Sequence, residues 1–327
     1  LTDRNRLVAL AAALLLAGCA TGPSQYPATP VAAGPEVTVQ ATPVRLNPSD
    51  PAQDRLGNFV YAGGVALSSV QTTRFHGLSD LDVQPNGAVV AVGDDGDLLH
   101  ARVLLDAAGR LIGLADARLT GLNGLDGQPL QGKTETDAEG LALLPNGDLL
   151  ISFERNHRIW LYPAAGGAPR AVNMPDTSFP LNEGMEALAP DPARGPGAYI
   201  VGGEDTGLTW SCSLAAPCVE GPRVALGDKG ANLVAARRLP QGRTAWLLRA
   251  FSPLTGAVIT LRITERNGGL IDEQVLRAPL TSDNFEGLAA VPGKAGGIRF
   301  YLISDDNFSS LQRTMLLAFD WVAPKGQ

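Results

Sequence analysis

Glu139-Gly140-Leu141-Ala142-Leu143-Leu144-Pro145-Asn146-Gly147 decides the fold, because the chain writes it more than once. Glu286-Gly287-Leu288-Ala289-Ala290-Val291-Pro292-Gly293 is a second clear copy, and Glu186-Ala187-Leu188-Ala189-Pro190-Asp191-Pro192 a third. Ser79-Asp80-Leu81-Asp82-Val83-Gln84-Pro85-Asn86-Gly87 stands nearer the N-terminus, and a worn copy runs from Leu233 to Gly242. The leading apolar residues Leu81, Leu141, Leu188, Val234 and Leu288 are spaced by 60, 47, 46 and 54 residues. Repeats at this spacing, with several short strands in each, describe the blades of a β-propeller.

Working outward from Glu139, Leu141–Leu144 reads as a first strand and Asp148–Phe153 as a second, joined at Pro145-Asn146-Gly147. Asn-Gly is expected to supply the positive φ angles of a tight hairpin. Arg158–Tyr162 makes a third strand and Ala171–Met174 a fourth. The last repeat offers only Gly287–Val291, Arg299–Ser304 and Met315–Trp321 before the chain ends. The N-terminal run Gly64–Ser69 is expected to complete it, so that strands from both ends close the ring and leave no exposed sheet edge. The expectation is an all-β, single five-bladed propeller. Segments 104–136 and 242–283 are the stretches long enough to hide a sixth blade. The unequal intervals count against a β-solenoid.

Composition agrees. The 327 residues hold 38 Gly and 24 Pro, 45% hydrophobic residues and a formal net charge of −7. Abundant turn residues suit many short strands, and the negative balance excludes nucleic acid as a partner while suiting cations. The N-terminus reads as a processing signal. Arg4 and Arg6 precede an apolar core from Leu7 to Leu16, too short to span a bilayer, and Leu16-Ala17-Gly18-Cys19 resembles the bacterial lipobox. Residues 1–18 are thus expected as a lipoprotein signal peptide and Cys19 as the lipidated residue. Residues 19–55, rich in Pro, Thr, Ala and Gln, are expected as a disordered tether, and 56–327 as the propeller. The implied location is the bacterial cell envelope, with Ala20 after the cysteine favouring the periplasmic face of the outer membrane. The only expected membrane contact is the lipid anchor, and the expected state is a monomer. Cys212 and Cys218 are expected to pair as a disulfide in that oxidising compartment.

In a propeller the first strand of each blade lines the central channel, so residues entering those strands converge. Three of the five entries are acidic: Glu139, Glu186 and Glu286. They are the candidate catalytic residues, and with Asp137, Asp305 and Asp306 the candidate ligands of a hard cation, since calcium takes mainly carboxylate and carbonyl oxygens. The alternative for these acids is structural, as acceptors of backbone hydrogen bonds between blades. That alternative is favoured for Asp80, Asp137 and Glu183. A second set of acids closes the second strands: Asp94-Asp95, Glu154, Glu204-Asp205 and Asp305-Asp306. Arg155, Arg158, Arg249 and Arg313 are the candidate substrate contacts, because a guanidinium fork bonds two phosphate oxygens at once. No Gly-x-Ser-x-Gly elbow occurs, and His76, His100 and His157 are the only imidazoles.

Asp137-Ala138-Glu139-Gly140-Leu141 through Phe153-Glu154-Arg155, Asn182-Glu183-Gly184-Met185-Glu186-Ala187-Leu188, Asp283-Asn284-Phe285-Glu286-Gly287-Leu288 and Ser304-Asp305-Asp306-Asn307-Phe308-Ser309 together resemble the phytase-like propeller proteins of bacteria, described by an "esterase-like activity of phytase". The resemblance spans roughly residues 60–321. It implies a propeller with acidic, calcium-binding central residues and hydrolysis of a small phosphoester or related ester. The chain departs from the pattern at Leu248-Arg249, where relatives carry an acid before the arginine, and at the apolar entry near Val234. A non-catalytic envelope propeller, binding a partner around a structural cation, is the rival reading. A lactonase-like metal hydrolase is a third.

Overall fold

A computed structural model describes residues 36–227 and 230–324. The expected signal peptide, Cys19 and the start of the tether lie outside the described residues. The chain enters through three strands, β1 (Gln40–Pro43), β2 (Arg55–Leu56) and β3 (Phe59–Ser68). Four antiparallel four-stranded sheets follow. The first is β4 (Leu78–Val83), β5 (Ala88–Gly93), β6 (Asp97–Leu105) and β7 (Leu111–Gly121). A one-turn helix, α1 (Lys133–Thr136), leads into β8 (Ala138–Leu143), β9 (Leu149–Phe153), β10 (Arg158–Tyr162) and β11 (Arg170–Ala171). The third sheet is β12 (Ala187–Pro190), β13 (Ala198–Gly202), β14 (Thr209–Ser213) and β15 (Val219–Glu220). The fourth is β16 (Ala231–Arg238), β17 (Thr244–Ser252), β18 (Gly256–Thr264) and β19 (Leu270–Leu276). The fifth takes β20 (Phe285–Pro292), β21 (Ile298–Ser304) and β22 (Met315–Trp321) from the C-terminal end, and β3 from the other.

This is a five-bladed β-propeller. Segments 104–136 and 242–283 hold outer strands of the first and fourth blades rather than a sixth sheet. β3 pairs with β22 from Ala66↔Met315 to Phe59↔Trp321, so the ring closes with strands from both ends. The hairpin at Pro145-Asn146-Gly147 differs in detail from the expectation. Only Gly147 takes a positive φ, at 90°, while Gly147 N donates to Leu144 O and Leu144 N to Asp148 O. That is a three-residue loop ending in a left-handed glycine, which needs one positive φ and not two.

The boundary of the propeller lies earlier than Arg55. β1 pairs with β3 as Gln40↔Ser68 through Pro43↔Val65, outside the closing strand, and Leu46 is buried in the core. Tyr61 Oη donates to Val44 O and Thr281 N to Leu46 O. Residues 36–55 are therefore built onto the blade and are not a free tether. Their sequence carries no apolar alternation because β1 is an edge strand with mostly exposed side chains, and one leucine supplies the anchor.

The apolar core lies between blades. Val90, Val92 and Leu98 of the first blade meet Leu141, Ile151 and Phe153 of the second. Leu247 and Leu261 of the fourth meet Phe300 and Phe319 of the fifth. Each such side chain contributes roughly 1.5–3 kcal/mol when fully buried. At Gly140 the inner strand of the second blade approaches that of the third too closely for a side chain. A Cβ on Gly140 would stand 2.4 Å from Glu186 O and 2.6 Å from Ser152 Oγ, so the glycine of the Glu-Gly-Leu repeat is set by contact with the next blade. Cys212 and Cys218 are bonded, with S–S 1.99 Å. No helix of the described residues is long and apolar enough to cross a membrane.

The channel is plugged by one ion pair. Asp80 of β4 is fully buried and accepts from Leu81 N at 2.8 Å, Leu141 N at 3.0 Å and Leu288 N at 3.2 Å. Arg237 of β16 reaches it with Nη2 at 3.0 Å and donates through Nη1 to Leu188 O, also at 3.0 Å. These two side chains touch the inner strands of all five blades. Burial pushes the Asp80 carboxyl up to about 6, even against the lowering influence of Arg237 and the backbone donors. The structural role read for Asp80 is the one it has.

Candidate active site

Above the plug, the starts of the inner strands and the ends of the second strands form one mouth. Four backbone hydrogen bonds show how regular it is. Asp94 N donates to Gly77 O, Glu154 N to Asp137 O, Glu204 N to Gly184 O and Asp305 N to Asn284 O, at 2.8–3.0 Å. In each case the acceptor stands four residues before the apolar leader of its blade. The acids closing the second strands are therefore quasi-equivalent, and they form a ring of their own beside the entry acids Glu139, Glu186 and Glu286. The fourth blade breaks both rings. Asn232 stands at its entry, opposite Arg249 on β17.

Within this mouth Asp137, Glu139 and Glu154 bring one oxygen each within 4.8 Å of one another, and Glu154, Glu186 and Glu204 do the same. Glu154 belongs to both trios. Eight carboxylates meet here, Asp94, Asp137, Glu139, Glu154, Glu186, Glu204, Glu286 and Asp305, against three cations, Lys133, Arg155 and Arg249. Lys133 Nζ lies 2.6 Å from Asp94 Oδ2 and 2.5 Å from Asp137 Oδ1, and Arg155 Nε lies 2.6 Å from Asp137 Oδ2. Arg249 bonds Glu286 and Asn284 and lies 3.4 Å from Glu204.

The surplus charge shows in the protonation equilibria. Burial, then repulsion from Asp137 and Glu204, pushes the Glu154 carboxyl up to about 8. Glu139 is raised well above the carboxylate range by burial and by Asp137 and Glu186. Glu186 is raised by burial and then Glu204. Asp94 and Asp305 are also raised, burial again being the largest cause. Burial alone would lower the Lys133 ammonium, but Asp94 and Asp137 outweigh it and the net shift is upward. Three buried oxygens of the mouth, Asp94 Oδ1, Glu186 Oε2 and Glu204 Oε2, meet no hydrogen-bond donor among the described residues. Buried acceptors without donors are costly, so the arrangement suits protons or a cation. An all-carboxylate donor set suits a hard cation over a thiophilic one.

The residues singled out from sequence divide accordingly. Glu139, Glu186 and Asp137 lie in the acid trios. Glu286 lies in the same mouth, but its Oε1 is taken by Arg249 and Asn284 and it joins neither trio. Asp305 faces the mouth, with Oδ1 accepting from Asn307 N. Asp306 accepts from Gly77 N, Phe308 N and Thr314 Oγ1, which closes its loop and ties the fifth blade to the first. Arg158 is stacked on Phe153 and Trp160 and donates to Asn156 O and Glu135 O. Arg313 is exposed. Glu154 and Glu204, seen in sequence only as strand-closing acids, prove central. Their signal was position, since each stands where its second strand turns.

A five-bladed propeller whose channel is plugged below and carries paired rings of carboxylates above is the class that fold and site define. The chain belongs to the phytase-like family, described by the esterase-like activity of phytase, which its sequence matches over residues 73–308. No curated protein matches the chain. Among solved structures it is similar to a Bacteroides thetaiotaomicron structural-genomics protein of unknown function, with TM-score 0.49, 12% identity and 86% of this chain and 76% of that one covered. It is also similar to a structural-genomics protein provisionally assigned as a gluconolactonase (TM-score 0.45, 13% identity, 91% and 92% covered). A third is virginiamycin B lyase of Staphylococcus aureus (TM-score 0.42, 8% identity, 87% and 100% covered). Likenesses at this level say nothing about chemistry.

Proposed function

We propose that the mouth is a calcium-dependent hydrolytic site acting on a small phosphoester or related ester. The observation that carries the proposal is the concentration of eight carboxylates around three cations, with three buried oxygens that meet no donor among the described residues. Asp137, Glu139 and Glu154, or Glu154, Glu186 and Glu204, would hold the ion. Glu154 is common to both sets and is the first ligand to test. When bound, such a cation polarises a phosphoryl or acyl oxygen and makes a nearby water more acidic. The protein's own groups do the rest. Arg249 keeps Glu286 turned aside and lines the mouth with positive charge. Lys133 and Arg155 fix Asp137. With Arg158 engaged by carbonyls and aromatic rings, contact with an anionic substrate falls to Lys133, Arg155 and Arg249. Glu154, pushed up to about 8 by burial and by Asp137 and Glu204 in the metal-free chain, gives up its proton when it takes the cation, so it acts as a ligand and loading is pH-dependent. The same proposal puts the protein in a bacterial envelope as a monomer, lipid-anchored through Cys19 on the periplasmic face of the outer membrane.

The test is hydrolysis of phytate, p-nitrophenyl phosphate and short acyl esters by the purified protein, with calcium and with chelator. Turnover that chelator abolishes, and that Glu154→Gln lowers by at least ~100-fold, is the expected result. Calcium raising the Tm with no turnover on any substrate would replace the enzyme by a binding propeller with a structural cation.

A further inference from the structure

At the far ends of the inner strands from the mouth, a cleft opens between the third and fourth blades. The outer strand β15 has two residues where its counterpart β19 has seven, and residues 221–226 follow it irregularly, held by Gly221 N to Thr209 O and Val224 N to Gly207 O. The gap is a cavity of ≈840 Å³. Its apolar lining includes Ile200, Val224 and Leu239, and Trp246 packs at the edge of the same apolar cluster with Nε1 tied to Thr264 Oγ1 at 2.9 Å.

The charge around this cavity is the reverse of that at the mouth. Arg194, Arg223, Arg238, Arg262 and Arg266 line it, with Asp191, Glu265 and Glu273 as the only acids among the lining residues. Every one of those acids is already engaged. Asp191 lies 2.9 Å from Arg238, Glu265 3.5 Å from the adjacent Arg243 and Glu273 2.6 Å from Arg262. Arg194, Arg223 and Arg266 are exposed at the rim and make no ion pair among the described residues. Single exposed arginines are ordinary, but three around one apolar cavity, in a chain of net charge −7, leave a local positive field that no acid lining the cavity among the described residues cancels. Guanidinium forks beside an indole and aliphatic walls recognise one chemistry: a planar or apolar body carrying a carboxylate or phosphate.

We propose that this inter-blade cleft is a second binding site, for an organic anion with a flat apolar body, separate from the acidic mouth. The anionic group seats among Arg194, Arg223 and Arg266, and the apolar body enters toward Trp246.

The test uses 1-naphthoate as the probe and 1-naphthalenemethanol as its neutral counterpart, titrated calorimetrically against the full chain with calcium and with chelator. The expected result is saturable binding of naphthoate in both conditions, at least about ten-fold weaker binding of the alcohol, and at least about ten-fold loss in an Arg194→Gln/Arg223→Gln/Arg266→Gln variant. All three positions are exposed, so the variant's Tm should match that of the unaltered protein. Trp246→Phe should remove most of the fluorescence change on binding, and Glu154→Gln should leave affinity unchanged. Equal affinity for the alcohol, undiminished binding by the triple variant, no binding at millimolar probe, or loss of binding in Glu154→Gln would each overturn the proposal.

Discussion

The plug and the mouth lie on the same channel axis, and both are buried and ionic, yet they are solved in opposite ways. At the plug, one carboxylate meets one guanidinium and three backbone N–H groups, and both Asp80 oxygens have partners. At the mouth, carboxylates outnumber cations and three oxygens have no donor among the described residues. The first arrangement gives both carboxylate oxygens partners within the chain and joins five blades, with Arg237 Nε alone of its side-chain polar atoms left without one among the described residues. The second is complete only when something positive joins it. Burial raises carboxyl groups in both places, so burial alone does not mark a binding site; the difference is whether the fold supplies the countercharge.

Breaking the plug should have the largest effect. Arg237→Met strands Asp80 without its cation and unsupports Leu188 O and Leu81 O, so a loss of about 3–5 kcal/mol is expected in urea unfolding. An unchanged midpoint would show that the pair is not what holds the blades. Gly140→Ala should cost roughly 1–3 kcal/mol, because its Cβ meets backbone of the next blade that has no room to move. The mouth should respond in the opposite sense. With chelator present, Glu154→Gln should match or exceed the stability of the unaltered protein at pH 8, since it removes one of the crowded charges.

The pH dependence sharpens the contrast further. The Glu154 carboxyl titrates near 8 in the folded chain against about 4.5 for an ordinary glutamate, so the folded state binds the extra proton between those values. Its stabilising contribution is therefore present at pH 4.5 and is lost as pH rises through 8. The chelated protein should melt at falling temperature across that window, and the slope should flatten in Glu154→Gln. Calcium competes with the same protons, so its Tm increment should be larger at pH 8.5 than at pH 6. An increment independent of pH would place the ion away from Glu154.

Glu139-Gly140-Leu141 and its copies were enough to read the blades, the number of sheets and the closing strand, because a repeat must solve the same packing problem each time it occurs. The same repeat pointed to Glu139, Glu186 and Glu286 as converging groups. It was silent on which of them would be neutralised. Glu286 is met by Arg249, which comes from another blade, and no spacing in the sequence records that encounter. Arg237 was invisible for the same reason, since it sits inside the worn repeat and reaches across the axis to Asp80. Residues 36–55 were misread because an edge strand that pairs through backbone leaves little pattern in its side chains.

What the sequence determined by itself was what is local and repeated: the strands of the blades, the place of their hairpin turns, the glycines Gly140 and Gly287 and the acidity of three channel entries. What only the tertiary structure decided was the pairing of charge, which carboxylates are cancelled at the plug and which are left over at the mouth. Coulomb energy depends on distances in space between blades, and those distances exist only once the ring has closed.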